Sequence, residues 1–242
     1  MTTRVIVQAR MGSHRLPGKI SRPLAGRSLL SRVLERLRQC KEHLDETQQQ
    51  TLQFVVATTM DLADDWTVRE CRRMGVTFFR GSSEDVLARY LAASADLHPN
   101  DIVIRATADN PFYCPLRTAA VIRRHRGSRT DYTCVRGLSY VVPEVMRVGA
   151  LRQMGQVARD PECREHVTSY FRREVSQGQF RVEQLPLRWR GLRPEIRLTI
   201  DTPAEYQAAQ RLYDHLAVSR QAFPLEDVYR YLDEQHGARR AA

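Results

Sequence analysis

A loop near the start of the chain combines residue types suited to holding a triphosphate. It covers residues 8–19 and reads QARMGSHRLPGK. Its cationic residues are Arg10, Arg15 and Lys19. Glycine allows the backbone N–H groups near Gly12 and Ser13 to approach phosphate oxygens closely, and the cations can neutralise the phosphate charge. The segment therefore predicts a phosphate-binding loop, with a surface loop carrying incidental arginines as the alternative.

This loop differs from two familiar phosphate-binding motifs. Gly12 and Gly18 enclose five residues, whereas the glycines of a P-loop enclose four. Ile20 stands where a P-loop has the Ser or Thr that holds Mg²⁺. The glycines also fail the GxGxxG spacing of a Rossmann dinucleotide site. The spacing thus excludes an ordinary P-loop NTPase and disfavours a dinucleotide site.

Two aspartates follow predicted strands that lie far apart in the sequence. Asp109 lies in ATADNP after residues 102–105, and Asp201 lies in TIDTP after residues 196–200. In one parallel sheet, both carboxylates would lie at the same edge and could share Mg²⁺. Such an ion would bridge triphosphate oxygens and lower the pKa of an attacking hydroxyl. The alternatives are a turn residue for Asp109 and helix capping for Asp201, although Thr202 is the better N-cap.

An α/β sheet must position the loop and the aspartates. The predicted strands cover residues 4–9, 52–58, 76–79, 102–105, 131–135, 139–142, 180–185 and 196–200. The predicted helices cover residues 29–37, 63–74, 84–97, 116–125, 150–158, 164–175, 203–216 and 225–234. This alternation indicates βαβ units in a mainly parallel sheet with helices on both faces. We interpret residues 1–242 as one domain, with an inserted subregion at about 136–193 that serves acceptor binding or dimerisation.

Composition narrows the class of protein. The chain has 242 residues, of which 42% are hydrophobic and 27% charged, and no apolar run is long enough to cross a bilayer. The N-terminus lacks the pattern of a signal peptide, so we expect a cytoplasmic protein. The cysteines are odd in number, far apart and without a CxxC pair, which favours free buried thiols over a zinc or redox site.

The net charge of +10 raises the possibility of a nucleic-acid partner. The strongest basic cluster, residues 123–129, lies at the end of a predicted helix and has no interleaved aromatic residues for stacking on bases. We therefore interpret the excess charge as a solvated basic surface and predict no nucleic-acid partner.

Six segments, taken in order, resemble a known family. They are QARMGSHRLPGK, VATTMD, FRGSSEDVLARY, ATADNP, REHVTSY and RLTIDTPAEY, and together they cover nearly the whole chain. They resemble cytidylyltransferases of the spore-coat polysaccharide and CMP-acylneuraminate or CMP-3-deoxy-octulosonate type. The resemblance implies a nucleotide-diphospho-sugar-transferase-like α/β fold, which is Rossmann-like. It also implies CTP as donor, Mg²⁺ as cofactor, pyrophosphate as product and a homodimer.

Residue roles follow from the resemblance, position by position. The implied nucleotide-binding residues are Ala9, Arg10, Gly12, Ser13, Arg15, Lys19, Thr58, Asp85 and Arg105. The implied metal ligands are Asp109 and Asp201, and the implied catalytic residues are Arg10, Arg15, Lys19 and Asp109. The residues implied on the acceptor side are Tyr140, Glu165 and His166. For His166 a structural role in a helix is the alternative, and we assign it no acid–base role.

One segment departs from the family pattern. Spore-coat relatives often have a DGLD-like segment where this chain has residues 136–139, which read RGLS. The loss of both acidic positions suggests a more anionic acceptor, such as a phosphonate or an unusual sugar acid.

The predicted reaction is in-line attack of an acceptor oxygen on the α-phosphorus of CTP, with CMP transferred to a small anionic acceptor. The alternatives are a nucleotidyltransferase of the same fold that uses UTP or another donor, and a non-catalytic protein that binds nucleotides or nucleic acid.

Overall fold

The computed structural model describes residues 1–136, 138–173, 176–186, 188–217 and 223–241. Its strands are β1 (Thr3–Gln8), β2 (Pro23–Leu24), β3 (Arg27–Ser28), β4 (Leu52–Thr59), β5 (Thr77–Gly81), β6 (Ile102–Thr107), β7 (Tyr132–Val135), β8 (Glu144–Arg147) and β9 (Val182–Leu185). Its α-helices are α1 (Leu29–Arg38), α2 (Glu46–Gln50), α3 (Asp65–Arg73), α4 (Val86–Ala92), α5 (Pro115–Arg126), α6 (Val148–Val157), α7 (Pro161–His166), α8 (Pro203–Ala217) and α9 (Leu225–Ala241).

Seven of these strands form one mixed sheet in the order β5-β4-β1-β6-β8-β7-β9. The neighbours among β5, β4, β1 and β6 are parallel, β8 is antiparallel to both β6 and β7, and β9 is parallel to β7. β2 and β3 pair separately as a short antiparallel ribbon. The mainly parallel α/β sheet expected from the sequence is therefore present, and its antiparallel strand lies in the second half of the chain.

Two apolar layers cover the faces of the sheet because side chains alternate along each strand. Val5 and Ile104 belong to the layer that contains buried residues of α1, α5 and α8. Ile6 and Val103 belong to the layer that contains buried residues of α4, α6 and α7. The predicted placement of helices on both faces is confirmed.

Three predicted elements are wrong. Residues 139–142 form turns rather than a strand, with the N–H groups of Val141 and Val142 both bonded to the carbonyl of Leu138. The helix predicted over 164–175 ends at His166, because Val167 has a φ of 51°, outside the helical range. Positions 174 and 175 of that predicted helix lie outside the described residues. So does position 137 of the segment 136–139, which departs from the family pattern.

The third wrong element is the predicted strand over 196–200. This segment pairs with no strand among the described residues. It is held instead by single hydrogen bonds: the N–H of Ile200 donates to the carbonyl of Asp109 (3.0 Å), and the Tyr140 hydroxyl donates to the carbonyl of Ile196 (2.8 Å). Thr202 is the N-cap of the next helix, as predicted, and it forms a capping box with Glu205: the two residues exchange side-chain to backbone hydrogen bonds at the start of α8.

Candidate active site

The two aspartates singled out from the sequence meet around one ammonium group. Lys19 Nζ donates to Asp109 Oδ2 (2.9 Å), to Asp201 Oδ1 (3.0 Å) and to the Ile200 carbonyl (3.1 Å). Arg15 also pairs with the second oxygen of Asp201 at 3.1 Å. Burial alone would raise the pKa of Asp201, but Lys19 and Arg15 together hold that pKa below its usual value.

Asp201 reaches this position without a sheet strand. The single bond from the N–H of Ile200 to the carbonyl of Asp109 fixes the end of the 196–200 segment against the loop after β6. The Thr107 hydroxyl also donates to Asp109 Oδ1 (2.6 Å), which orients that carboxylate. The two carboxylates are therefore neighbours, as predicted, although the expected parallel strand does not place them.

The loop before Lys19 is held in shape by a buried carboxylate. Asp64 is 1% exposed and accepts hydrogen bonds from the N–H of Met11 (2.8 Å), from the Thr67 hydroxyl (3.0 Å) and from the Thr59 hydroxyl. Gly18 adopts a left-handed φ of 65°, which suits glycine, and its N–H donates to the Met11 carbonyl (3.1 Å). The loop thus folds back on itself and places Lys19 beside the carboxyl ends of β1 and β6.

A cavity of about 440 Å³ opens at the carboxyl ends of β1 and β6, above this cluster. The residues predicted for the site that line it are Ala9, Arg10, Ser13, Arg15, Lys19, Arg105, Asp109, Glu165, His166 and Asp201. It is also lined by Gln8, His14, Ile20, Thr107 and Ala108. Residues of the 8–19 loop, both aspartates and the end of α7 therefore share one cavity, at the sheet edge where parallel α/β sheets bind ligands.

Four predicted residues lie elsewhere than in the cavity lining. Thr58 is buried within β4, and its Oγ1 has no hydrogen-bond partner among the described residues. Asp85 caps α4 by accepting from the N–H of Ala88 (2.8 Å) and also pairs with Arg164. Gly12 and Tyr140 are the other two. The Tyr140 hydroxyl donates its hydrogen bond to the Ile196 carbonyl. Their binding roles stay predictions.

A larger hollow of about 810 Å³ lies beside the edge strand β5. Its lining includes Arg4, Lys41, Phe54 and Phe78. We do not place the chemistry there, because it holds neither the aspartate pair nor the loop of residues 8–19.

Comparison with known proteins assigns the family. The model of the cytidylyltransferase family matches residues 4–230 of the chain. The chain belongs to the cytidylyltransferase family. It is therefore a nucleotidyltransferase, and the alternative of a non-catalytic binding protein is wrong.

Similar proteins agree with this assignment. This cytidylyltransferase is 35% identical over 210 residues to the spore coat polysaccharide biosynthesis protein SpsF of Bacillus subtilis, covering 86% of this chain and 85% of that protein. It resembles the solved cytidylyltransferase of Leptospira borgpetersenii with a TM-score of 0.81 and 26% identity, over 98% and 96% of the two chains. It shares its fold with a CMP:2-keto-3-deoxy-manno-octonic acid synthetase solved with CTP (TM-score 0.64, 14% identity, 89% and 99% coverage). The predicted resemblance and fold class are confirmed.

The donor atoms of this cytidylyltransferase fit a hard divalent cation. Asp109 and Asp201 present carboxylate oxygens within 3.0 Å of one nitrogen, so one ion could contact both. No group of three or more His, Cys, Asp or Glu side chains suited to a metal occurs among the described residues. Mg²⁺ is commonly bound by one or two carboxylates together with water and substrate phosphates. The pair therefore fits an ion that arrives with a triphosphate.

Sequence reasoning missed two buried carboxylates of the site, Asp64 and Glu144. Asp64 is one of several aspartates in MDLADD, and no local pattern marks it as the residue that holds the loop. Glu144 lies between the strand predicted over 139–142 and the helix predicted over 150–158, yet it is 2% exposed and pairs with Arg105 at 2.9 Å. One signal was available for Glu144: apolar residues flank it in VPEVM. This pattern indicates a buried carboxylate, and a buried charge needs bonded partners.

The end of α7, which carries the two residues predicted for the acceptor side, is followed by a strained turn. Val167 is fully buried and has a φ of 51°, a conformation that a β-branched residue rarely adopts. This turn ends the helix and leaves Glu165 and His166 in the cavity lining.

No described helix combines the length and apolar character needed to span a membrane.

Proposed function

We propose that this cytidylyltransferase binds CTP with Mg²⁺ and transfers CMP to a small anionic acceptor, releasing pyrophosphate. The observation that carries the proposal is the contact of Lys19 with both Asp109 and Asp201 at the base of the loop of residues 8–19. Cations of the loop and carboxylates of the sheet edge are thereby adjacent, as a metal–triphosphate complex requires. The CTP complex of the octulosonate enzyme of the same fold supports the choice of donor.

In this proposal Lys19 can donate hydrogen bonds either to protein oxygens or to phosphate oxygens of the nucleotide. In the structure its ammonium donates to three protein oxygens and its side chain is 12% exposed. A triphosphate in the cavity would offer Lys19 phosphate oxygens. Asp109 and Asp201 would hold the metal, which would neutralise their charge in place of Lys19. We infer that Lys19 exchanges partners when the nucleotide binds with its metal.

Positioning and electrostatics supply most of the catalysis in phosphoryl and nucleotidyl transfer. Arg15 is largely exposed at the cavity mouth, and Arg10 is held by the carbonyl of Ser83 (3.2 Å). Both arginines, with Lys19, stabilise the charge that develops on the leaving pyrophosphate. A metal ion held by Asp109 and Asp201 would neutralise triphosphate charge and lower the pKa of the attacking hydroxyl.

The choice of pyrimidine base rests on residues outside the cavity lining. Thr58 has a buried hydroxyl without a partner among the described residues, and Asp85 begins α4 near the segment that holds Arg10. A donor other than CTP would react in the same way but would make different base and ribose contacts with Thr58 and Asp85.

Thermal-shift measurements with CTP, UTP, ATP and GTP, each with and without Mg²⁺, test the donor. A ligand that binds only the folded state raises its stability. We expect the largest Mg²⁺-dependent shift with CTP, and a larger shift with another nucleotide would replace CTP as the donor. Release of pyrophosphate from CTP in the presence of a panel of sugar acids and phosphonates then tests transfer, with Asp201→Asn as the matched inactive variant.

We propose a homodimer in the cytoplasm as the working form. Light scattering coupled to size-exclusion chromatography tests the dimer, and cell fractionation tests the location. A monomeric species with full turnover contradicts the need for a dimer.

A further inference from the structure

The cavity has two chemically different walls. One wall carries the cations of the 8–19 loop and the aspartate pair. The other carries Arg105 of β6 with Glu165 and His166 at the end of α7. Arg105 contacts Glu144, and that carboxylate also binds the Tyr132 hydroxyl, which belongs to the apolar layer of α4, α6 and α7. Arg105 therefore approaches the cavity from the opposite side of the sheet to α1.

Glu144 holds Arg105 in place and has its own hydrogen-bonding capacity filled. The carboxylate is 2% exposed. Its donors are Arg105 (2.9 Å), Arg172 (2.6 Å), the Tyr132 hydroxyl (2.6 Å) and the Thr168 hydroxyl (2.8 Å). Burial alone would raise the pKa of Glu144, but the two guanidinium groups lower it, so the carboxylate stays ionised.

Two guanidinium groups pair with this one buried carboxylate, and of the two it is Arg105 that lines the cavity. The Glu165 carboxylate belongs to the same lining. Arg105 donates to Glu144 through Nη1, whereas its Nε has no hydrogen-bond partner among the described residues. The Arg105 side chain is 13% exposed and lines the cavity, so an anion there would give this guanidinium further charge-assisted hydrogen bonds.

We propose that Arg105 binds the oxyanion of the acceptor, a carboxylate or a phosphonate, and that Glu144 and Arg172 position it for this task. The inference rests on the proposed function and moves Arg105 from the nucleotide to the acceptor. The guanidinium fork matches the geometry of both oxyanions. The adjacent Glu165 and His166 suit the hydroxyl groups of a polyhydroxylated acceptor. The triphosphate has its own cations on the opposite wall.

Saturation-transfer NMR on the protein filled with α,β-methylene CTP and Mg²⁺ tests the proposal directly. The analogue occupies the triphosphate side, so methylphosphonate and propionate report on a second anion site. We expect saturation transfer to at least one probe, and the tighter of the two identifies the class of oxyanion. In Arg105→Gln the probe affinity should fall about tenfold or more, the loss of a charge-assisted hydrogen bond, with the affinity for the analogue unchanged.

Two further variants separate binding from structure. Arg105→Lys keeps the charge without the fork, and we expect it to retain part of the probe affinity and to serve if Arg105→Gln does not fold. Arg181→Gln removes an exposed arginine that pairs with Asp131 outside the cavity lining, and it should leave probe binding as in the wild type.

The outcomes are distinct. Absence of saturation transfer to both probes in the wild type holding the analogue would overturn the inference and leave the proposed function standing. Equal probe affinity in Arg105→Gln and the wild type would do the same. Failure of the wild type to bind the analogue at all would contradict the proposed function itself.

Discussion

Replacing Lys19 with Met should expose the mutual repulsion of the aspartate pair. The change removes the bonds to Asp109, Asp201 and the Ile200 carbonyl. The side chain of Asp201 is 14% exposed in the wild type. Breaking a buried ion pair costs roughly 3–5 kcal/mol and breaking an exposed one about 1 kcal/mol or less. For this partly exposed cluster we expect a loss of about 2–3 kcal/mol in the free energy of unfolding at pH 7, measured by urea denaturation.

The loss should depend on pH in a defined direction. The pKa of Asp201 is lowered in the folded protein, against the effect of burial and through Lys19. A carboxyl with a lowered pKa stabilises the fold above its unfolded value of about 3.9, and that contribution disappears as the pH falls through the folded value. The gap between Lys19→Met and the wild type should therefore be full at neutral pH and narrow below about pH 4.

The chain provides a matched control, because Lys41 is its only other lysine. Lys41 lies 5.8 Å from the ring centroid of Phe54 and bridges no carboxylates in the structure described, so Lys41→Met should cost about 1 kcal/mol or less. Mn²⁺ without nucleotide should stabilise Lys19→Met more than the wild type, since no ammonium competes for the carboxylates. Equal stability of the two lysine variants, or a gap that persists unchanged at pH 3, would refute the reasoning.

Three further predictions concern other carboxylates. Asp201→Asn should keep the fold yet lower turnover by about a hundredfold or more, as measured by pyrophosphate release, because it removes charge from the proposed metal site. Asp64→Ala should cost roughly 2–4 kcal/mol in urea denaturation and weaken CTP binding in calorimetry, since the N–H of Met11 and two hydroxyls lose their acceptor. Arg73 and the hydroxyls of Ser28 and Ser31 lower the pKa of Glu70 to about 2. Glu70→Gln should therefore lose about 1–2 kcal/mol at pH 7, and the difference should vanish as the pH falls from about 4 to about 2.

The first half of the fold was predictable because its signals are local. β1, the loop of residues 8–19 and α1 follow from a β-branched run, paired glycines and helical spacing within about forty residues. The same holds for β4, β5 and β6. The order of the strands was not predicted, and it is the structure that places the ends of β1 and β6 side by side.

The second half was less predictable because its decisive contacts join distant residues. Glu144 binds Arg105 and Arg172, which lie 39 and 28 positions away. The sequence around 164–175 has helical spacing, but the contact of Thr168 with Glu144 and the burial of Val167 override that local preference. Periodicity carries no information on such partners, so the strand at β8 and the break after α7 were missed.

The segment 196–200 was wrongly predicted as a strand, yet the prediction that Asp201 lies next to Asp109 was correct. Residues 196–200 alternate in hydrophobicity like a strand because Leu198 and Ile200 pack into the core, and this pattern is the same whether or not a ladder forms. The position of Asp201 then depends on two bonds at Ile200, one from its N–H to the Asp109 carbonyl and one from Lys19 to its own carbonyl, and on the bond from the Asp201 N–H to Glu205 (2.8 Å). The Asp201 carboxylate also pairs with Arg15 and Arg197, and residues 196–200 pair with no strand in the part of the chain that the structure describes. The partner exchange proposed for Lys19 therefore requires no rearrangement of the sheet.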